Sequence, residues 1–318
     1  MGKDSRGMED IWLNWAKKKG YGVTFGDISK LRTVKTYIEN KKRNFLFDKD
    51  FYKNWLVEFE HSDEPSMGNP VTLILLAIPK PAFKIPFTYK GELRTAILPP
   101  TYACYRPTFK QICNEARTEF MQEPYWIDRL SAPLKSLAVL TGLVKYGRNN
   151  ITYHSEMGSY FQLVGLITNI PLEPESTPDS LDGENNLMLL CKTCQACLNA
   201  CPTGAISKDR LLLHAERCYT LFSETSGKLS KWPLPPSPEC LIGCMRCQMV
   251  CPMNKGKLRY ETAPFSLSEE ETDFMVRNFD PNTPLGDKIN KKFSLLHLTK
   301  DYQLYIRNFQ RLVKHSIE

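Results

Sequence analysis

Cys191-Lys-Thr-Cys194-Gln-Ala-Cys197-Leu-Asn-Ala-Cys201-Pro202 is the stretch on which the reading of this chain turns. Its intervals of two, two and three residues, closed by a proline, put three thiolates on one tight loop, where each can take a different iron of a single four-iron cubane. The fourth cysteine begins the next helical turn and faces a second cluster. Zinc is the rival for paired C-x2-C units, but it needs neither a third cysteine in register nor the Cys-Pro ending. Further on, Cys240-x3-Cys244-x2-Cys247-x3-Cys251-Pro252 repeats the end of that pattern but not its first interval. Pairing across the repeat predicts one 4Fe-4S cluster on Cys191, Cys194, Cys197 and Cys251. The other falls to Cys201, Cys244, Cys247 and a fourth thiol, which is either Cys240 or the isolated Cys218.

The composition agrees with a metal reading of these cysteines. Nine of the 11 lie between Cys191 and Cys251, and only Cys104 and Cys113 fall outside. Disulfide frameworks belong to small secreted domains, not to a chain of 318 residues. With 42% hydrophobic and 24% charged residues the chain can build a packed core and is neither disordered nor fibrous. Its longest apolar run, Val71–Ile78, is far short of the roughly 20 residues that span a bilayer. Residues 1–20 carry charges where a signal peptide needs an apolar stretch. A cytoplasmic protein with no membrane partner is therefore expected. The net charge of +7 is compatible with nucleic acid, but the lysines are spread over ordinary helix faces, so charge does not choose a substrate.

Periodicity organises the rest. Glu9–Ala16 places Trp12, Trp15 and Ala16 on one helix face, with Gly20 as a stop signal. Val71–Ile78 suits a buried strand in a sheet covered on both faces. Lys80–Pro100, with four prolines, reads as a loop or hairpin excursion. Phe109, Ile112, Cys113, Ala116 and Phe120 keep helical spacing, which makes Cys113 a small core residue; Cys104 is read the same way. Ser131 is the expected N-cap of a helix whose face runs through Leu134, Leu137, Ala138, Thr141 and Val144 towards Gly147. Phe161–Ile167 is a second buried strand, and Pro171–Asn186 a linker. At the end, Tyr302, Tyr305, Ile306, Phe309, Leu312 and Val313 form an apolar stripe, with Arg307, Arg311 and Lys314 on the opposite face. Three consecutive domains follow from this: 1–178, an α/β domain; 179–265, the double-cluster module; and 266–318, a helical tail packing on the core.

Residues Cys191–Ile206, Arg217-Cys218 and Gly243–Lys255 resemble the epoxyqueuosine reductase family, corrinoid and iron-sulfur enzymes related to reductive dehalogenases. The resemblance extends upstream through Gly142-Leu143, Gly147-Arg148-Asn149, Gly158-Ser159-Tyr160-Phe161 and Ile170–Pro174. It implies an α/β, nitroreductase-like corrinoid-binding domain followed by a bacterial ferredoxin-like domain with two 4Fe-4S clusters. It also favours Cys218 over Cys240, because the family's Arg-Cys pair supplies the missing ligand. A base-off cobalamin is implied, lined by Gly147, Arg148, Asn149, Thr152, Gly158, Ser159, Tyr160 and Leu163. None of His61, His154, His214, His297 or His315 sits in a D-x-H-x-x-G corrinoid motif, which agrees with a family whose cobalt takes no histidine from the protein.

Asp128 falls where the family carries its proton-donating aspartate; a buried carboxyl there would have its pKa raised by desolvation and hold a proton near neutral pH. The plainer reading is an exposed Asp just ahead of a helix start. Tyr105 is a second catalytic candidate, its phenol aimed at the cobalt face.

The family's Gly-Arg-Asp-Tyr-His stretch is replaced by Ala103–Phe109, with an apparent insertion at Lys90–Thr101. The stretch 219–224 is one residue shorter than the family pattern, and the chain lacks the length for a helical-repeat extension. The cofactor machinery therefore transfers better than the substrate. The resemblance implies reduction of epoxyqueuosine in tRNA, with electrons from a reduced ferredoxin or flavodoxin-type donor. The alternatives are reduction or dehalogenation of another small molecule, disfavoured as an exported activity by the absence of a twin-arginine leader, and an electron-transfer protein that reduces a partner's corrinoid.

Overall fold

The apolar run at 71–78 is continuous because both of its faces are covered. In the computed structural model, residues 5–57, 68–173, 180–181, 186–225, 239–298 and 302–315 are described. In chain order the elements begin with α1 (Ser5–Lys19), β1 (Gly22–Asp27), α2 (Lys30–Arg43), α3 (Lys49–Phe51), β2 (Thr72–Pro79), β3 (Ala82–Tyr89), β4 (Glu92–Leu98) and α4 (Tyr105–Phe120). Then come β5 (Ile127–Arg129), α5 (Leu134–Leu140), β6 (Lys145–Tyr146), β7 (Thr152–Tyr153), β8 (Phe161–Thr168), α6 (Ala196–Ala200) and α7 (Tyr219–Glu224). The last are α8 (Arg246–Met249), β9 (Tyr260–Thr262), α9 (Glu269–Arg277), α10 (Pro284–Ser294) and α11 (Tyr302–His315).

The chain divides into two compact units, Met1–Pro79 with Thr108–Gln195 and Arg210–Leu213, and Lys80–Pro107 with Ala196–Asp209 and His214–Glu318. They interleave, where composition suggests three consecutive segments. The division passes through the cysteine motif between Gln195 and Ala196. Most of the expected linker, 174–179 and 182–185, lies outside the described residues, and with it the boundary drawn at 178.

The first unit is built on a four-stranded sheet of order β1-β2-β8-β5, antiparallel at every pairing. Alternate residues of β2 serve two cores. Ile74, Leu76 and Ile78 join Trp12 and Trp15 of α1 and Ile112, Cys113, Ala116 and Phe120 of α4. Leu73, Leu75 and Ala77 join Val34 of α2 and Leu137, Ala138 and Leu140 of α5. Each aliphatic side chain so buried contributes about 1.5–3 kcal/mol. A continuous apolar strand is the habit of parallel sheets; here helices on both faces produce it in an antiparallel one. Trp12 is fully buried and stacks on Phe120 at 3.8 Å between ring centroids. Cys113 is a core residue, and burial pushes its thiol pKa up.

The expected Ser131 cap is not used: α5 starts after Pro133, which makes no side-chain cap hydrogen bond. Nor does the helix run on towards Gly147. Gly142 takes a left-handed φ of +76°, and the Val144 amide turns back to the Ala138 carbonyl at 3.2 Å, ending the helix at Leu140.

The second unit has a three-stranded sheet of order β4-β3-β9. The proline-rich excursion is a hairpin: β3 and β4 pair antiparallel around Lys90 and Gly91, both at positive φ, and β9 adds parallel to β3. Helices α9 to α11 pack on this sheet, with Phe309 against Phe87 at 4.9 Å and Phe293 against Phe265 at 5.7 Å. Of the C-terminal stripe, Ile306, Phe309, Leu312 and Val313 are buried in this core; the side chain of Tyr302 lies outside the described residues. Among the described residues, no helix is long and apolar enough to cross a membrane.

Candidate functional site

In the first unit, β6 and β7 form a short hairpin around Gly147–Ile151. The Gly147 amide donates to the Ile151 carbonyl at 2.7 Å, and Asn150 adopts φ +59°. Buried Asn149 donates to the Tyr153 hydroxyl at 2.9 Å, and its Oδ1 accepts from the Ile151 amide at 3.3 Å. Glycine is needed at 147 because a Cβ would come within 2.6 Å of both Asn149 Oδ1 and the Tyr153 ring.

This hairpin is joined to the first cysteine loop. Tyr146 bridges Leu187, the Met188 amide donates to the Tyr146 carbonyl at 2.9 Å, and Arg148 grips the Cys191 carbonyl with Nε at 3.3 Å and Nη2 at 3.0 Å. Thr152, Ser159 and Tyr160 are buried, and Leu163 on β8 is half-buried. Gly158 turns the chain at φ +62° and pairs with His154. His154 Nδ1 accepts the Glu156 amide at 3.2 Å, and its Nε2 lies 2.7 Å from where a Cβ on Gly22 would stand.

In the second unit, α6 and α8, which lie within the two cysteine repeats, pack against each other. Cys201 lies ahead of a turn: burial pushes its thiol pKa up, but hydrogen bonds from Thr203 and from the Ile206 and Ala205 amides outweigh this and bring it below the ordinary value. The Thr203 hydroxyl is 3.6 Å from the sulfur. Cys218 is the N-cap residue of α7. Burial raises its pKa, opposed by the Thr220 and Leu221 amides directed at the sulfur, and the Cys201 thiol adds to the rise. Cys244 is likewise raised by burial, with the Arg246 amide opposing and Cys218 and Cys201 adding. Three thiols from three separate segments thus each have backbone N–H groups turned to them. That is a donor set suited to thiolates bearing cluster charge. Among the described residues, no three Cys, His, Asp or Glu side chains converge as ligands of one metal ion.

Cys240 is placed differently. Its segment bridges Ile97 beside β4, it is 5% exposed, and burial, with help from Cys244 and Glu239, pushes its thiol pKa up to about 12. Beside these thiols the partly buried Tyr102 hydroxyl donates to Glu224, and the Tyr102 ring is 3.0 Å from where a Cβ on Gly243 would lie.

Asp128, on β5, is not in an apolar pocket. Its carboxylate accepts from Arg117 Nη2 at 2.6 Å and from the Arg129 amide at 2.7 Å, with the side chain 21% exposed. Tyr105 opens α4 and is exposed. Sequence reasoning missed Arg117, Tyr102, Glu224 and the partner of Arg148. Helical spacing does put Arg117 on the same element as the core residues, but it says nothing of what β5 brings to it.

A family model for a 4Fe-4S double cluster binding domain matches residues 190–254. The epoxyqueuosine reductase of Bacillus subtilis (strain 168) is 36% identical over 123 residues, 39% of this chain and 29% of that protein. That of Bacillus anthracis is 27% identical over 226 residues, 64% of this chain and 55% of that protein. The chain thus matches less than two thirds of the length of these relatives. A selenomethionine-labelled epoxyqueuosine reductase has the same fold, with a TM-score of 0.67 and 20% identity, over 98% of this chain and 82% of that one. An epoxyqueuosine reductase with an epoxyqueuosine-modified tRNA-Tyr stem loop gives 0.64 and 19%, with the same coverage. By sequence through the cysteine module and by fold over nearly its whole length, the chain is similar to epoxyqueuosine reductases.

Proposed function

We propose that the protein is a cobalamin- and 4Fe-4S-dependent cytoplasmic reductase that performs a two-electron reduction of an electrophilic substrate, by default epoxyqueuosine in tRNA. What supports this is the match of residues 190–254 to a 4Fe-4S double cluster binding domain, together with the packing of α6 against α8, the helices of the two cysteine repeats. Cys201, Cys218, Cys244 and Cys247 make the second cluster's ligands; Cys191, Cys194, Cys197 and Cys251 make the first. Two clusters pass electrons singly from a ferredoxin or flavodoxin-type donor. Cobalamin, when bound, supplies a low-valent metal that delivers electrons to a C–O bond.

The segment Gly147–Leu163 is assigned to the corrinoid. Its role here is to tie that face to the cluster loop through Arg148 and the Cys191 carbonyl. Removing an epoxide oxygen as water consumes two electrons and two protons, and Asp128 is the assigned proton donor. To act it must leave Arg117. A B. subtilis epoxyqueuosine reductase has been captured with its aspartate catalytic loop swung out of the active site, so a mobile aspartate has a counterpart in a relative of the same fold. The departing segment Ala103–Phe109 favours a second reading, in which the same machinery reduces a different small electrophile.

Anaerobic purification tests the cofactors: about eight irons per chain and retained cobalamin are expected. Reduction of an epoxyqueuosine-containing anticodon stem-loop, with binding that weakens steeply in salt, tests the substrate. Clusters without corrinoid affinity would leave an electron-transfer protein and end the reductase reading. Cobalamin turnover without stem-loop reduction would select the second substrate class.

A further inference from the structure

We propose that Arg307 and Asn308 of α11 are positioning residues for the second cluster: they cap α7 and, through Ser223, hold Cys218 and the Gly243–Cys244 turn in one hydrogen-bonded bracket. This rests on the ligand set proposed above.

A helix of six residues such as α7 is too short to persist on its own, and its last carbonyls need donors from elsewhere. The C-terminal helix supplies them. Arg307 Nη1 donates to the Thr225 carbonyl at 2.7 Å and Nη2 to the Phe222 carbonyl at 2.8 Å, while Asn308 Nδ2 donates to the Ser223 carbonyl at 2.9 Å. A guanidinium is the charge that suits a helix C-terminus, and its fork reaches two carbonyls at once. Arg307 is held in place by stacking over the Phe222 ring at 4.5 Å and by donating to Asn308 Oδ1 at 3.0 Å from Nη2. Asn308 is 2% exposed and spends both ends of its amide in this bracket. A basic residue that periodicity places on a solvated face is therefore turned into the protein.

The bracket reaches both ligand segments. At the start of α7 the Thr220 and Leu221 amides point at the Cys218 sulfur. In its last turn the Ser223 hydroxyl donates to the Thr220 carbonyl at 2.8 Å and accepts the Gly243 amide at 2.8 Å. Gly243 stands at φ +76°, a left-handed turn that delivers Cys244. Moving α7 along its axis would thus change the Cys218–Cys244 separation and the N–H groups facing both sulfurs, the features that set a cluster's affinity and potential.

The test is made on anaerobically prepared holoprotein with Arg307→Lys, which keeps the charge but loses the fork, and Ser223→Ala, which removes one hydroxyl. Lys314→Met, exposed on the same helix, is the control. In both bracket variants about half of the iron should be lost to a chelator about tenfold faster than in wild type. The potential and EPR signature of one reduced cluster should shift, while the other keeps wild-type values. Wild-type rates and potentials for both clusters overturn the proposal, as does equal acceleration at both, which reports general loosening. If the wild-type chain itself holds no clusters, the functional reading fails first and this inference falls with it.

Discussion

Replacing Cys218 and Cys240 by alanine, one at a time, separates a cluster ligand from a structural thiol. At Cys240 the substitution deletes one sulfur from a site that is 5% exposed. That is comparable to deleting a single buried methylene, a cost of about 1 kcal/mol. In a chain of this size the melting temperature would drop by only about 2 °C. Iron content should stay at about eight per chain. Cys218→Ala instead leaves three thiolates where four are needed, and about four irons should be lost, together with one of the two EPR signals of the dithionite-reduced protein.

The pH dependence adds a second, independent mark. Burial raises the Cys240 pKa from 9.0 to about 12 in the folded protein. Its stabilising contribution is therefore complete below the unfolded value near 9.0 and is lost as pH rises towards about 12. The small advantage of wild type over Cys240→Ala at neutral pH should then shrink as pH rises through that window. Iron quantitation, EPR and thermal melts at pH 7 to 10.5 decide the matter. Halved iron in Cys240→Ala, with full iron in Cys218→Ala, would refute the ligand assignment.

Asp128→Asn should lower turnover by at least about a hundredfold with cobalamin absorbance intact; unchanged turnover removes Asp128 as the proton donor. Because the Arg117–Asp128 pair is 39% and 21% exposed at its two side chains, Arg117→Met should change stability by less than about 1 kcal/mol in a denaturant titration. Trp12→Ala empties a fully buried, stacked site and should cost about 3–5 kcal/mol in the same titration; a loss below about 1 kcal/mol would contradict the core described here. Glu271, fully buried, pairs with Lys292 at 2.6 Å and Lys288 at 3.2 Å. Burial raises its pKa, but Lys292, the Ser268 amide and Lys288 outweigh this and hold it below 4.5. Its contribution is present above pH 4.5 and lost as pH falls through the lowered folded value, so the stability gap between wild type and Glu271→Gln should be flat from pH 6 to 8 and close in acid.

Much of the local structure was legible because it depends on short-range spacing. The faces of α1 and α4 and the two central strands of the first sheet follow from residues a few positions apart. The errors were local as well. Ser131 is a good N-cap residue in a place where Pro133 already sets the start of α5, and Gly142, rather than Gly147, supplies the left-handed turn that ends it.

The amino-acid sequence by itself pointed to a double-cluster module, because the intervals between Cys191 and Cys201 put three sulfurs on one short loop and turn the fourth away from it, and a 4Fe-4S double cluster model matches residues 190–254. It also determined which strand would be buried on both faces. Only the tertiary structure set Cys240 against Ile97, put Arg117 on Asp128, joined Arg148 to the Cys191 carbonyl and turned Arg307 inward onto α7. Each of these depends on two segments meeting. A side chain's charge or polarity names the kind of partner it needs, but the packing of the elements decides which partner stands within reach.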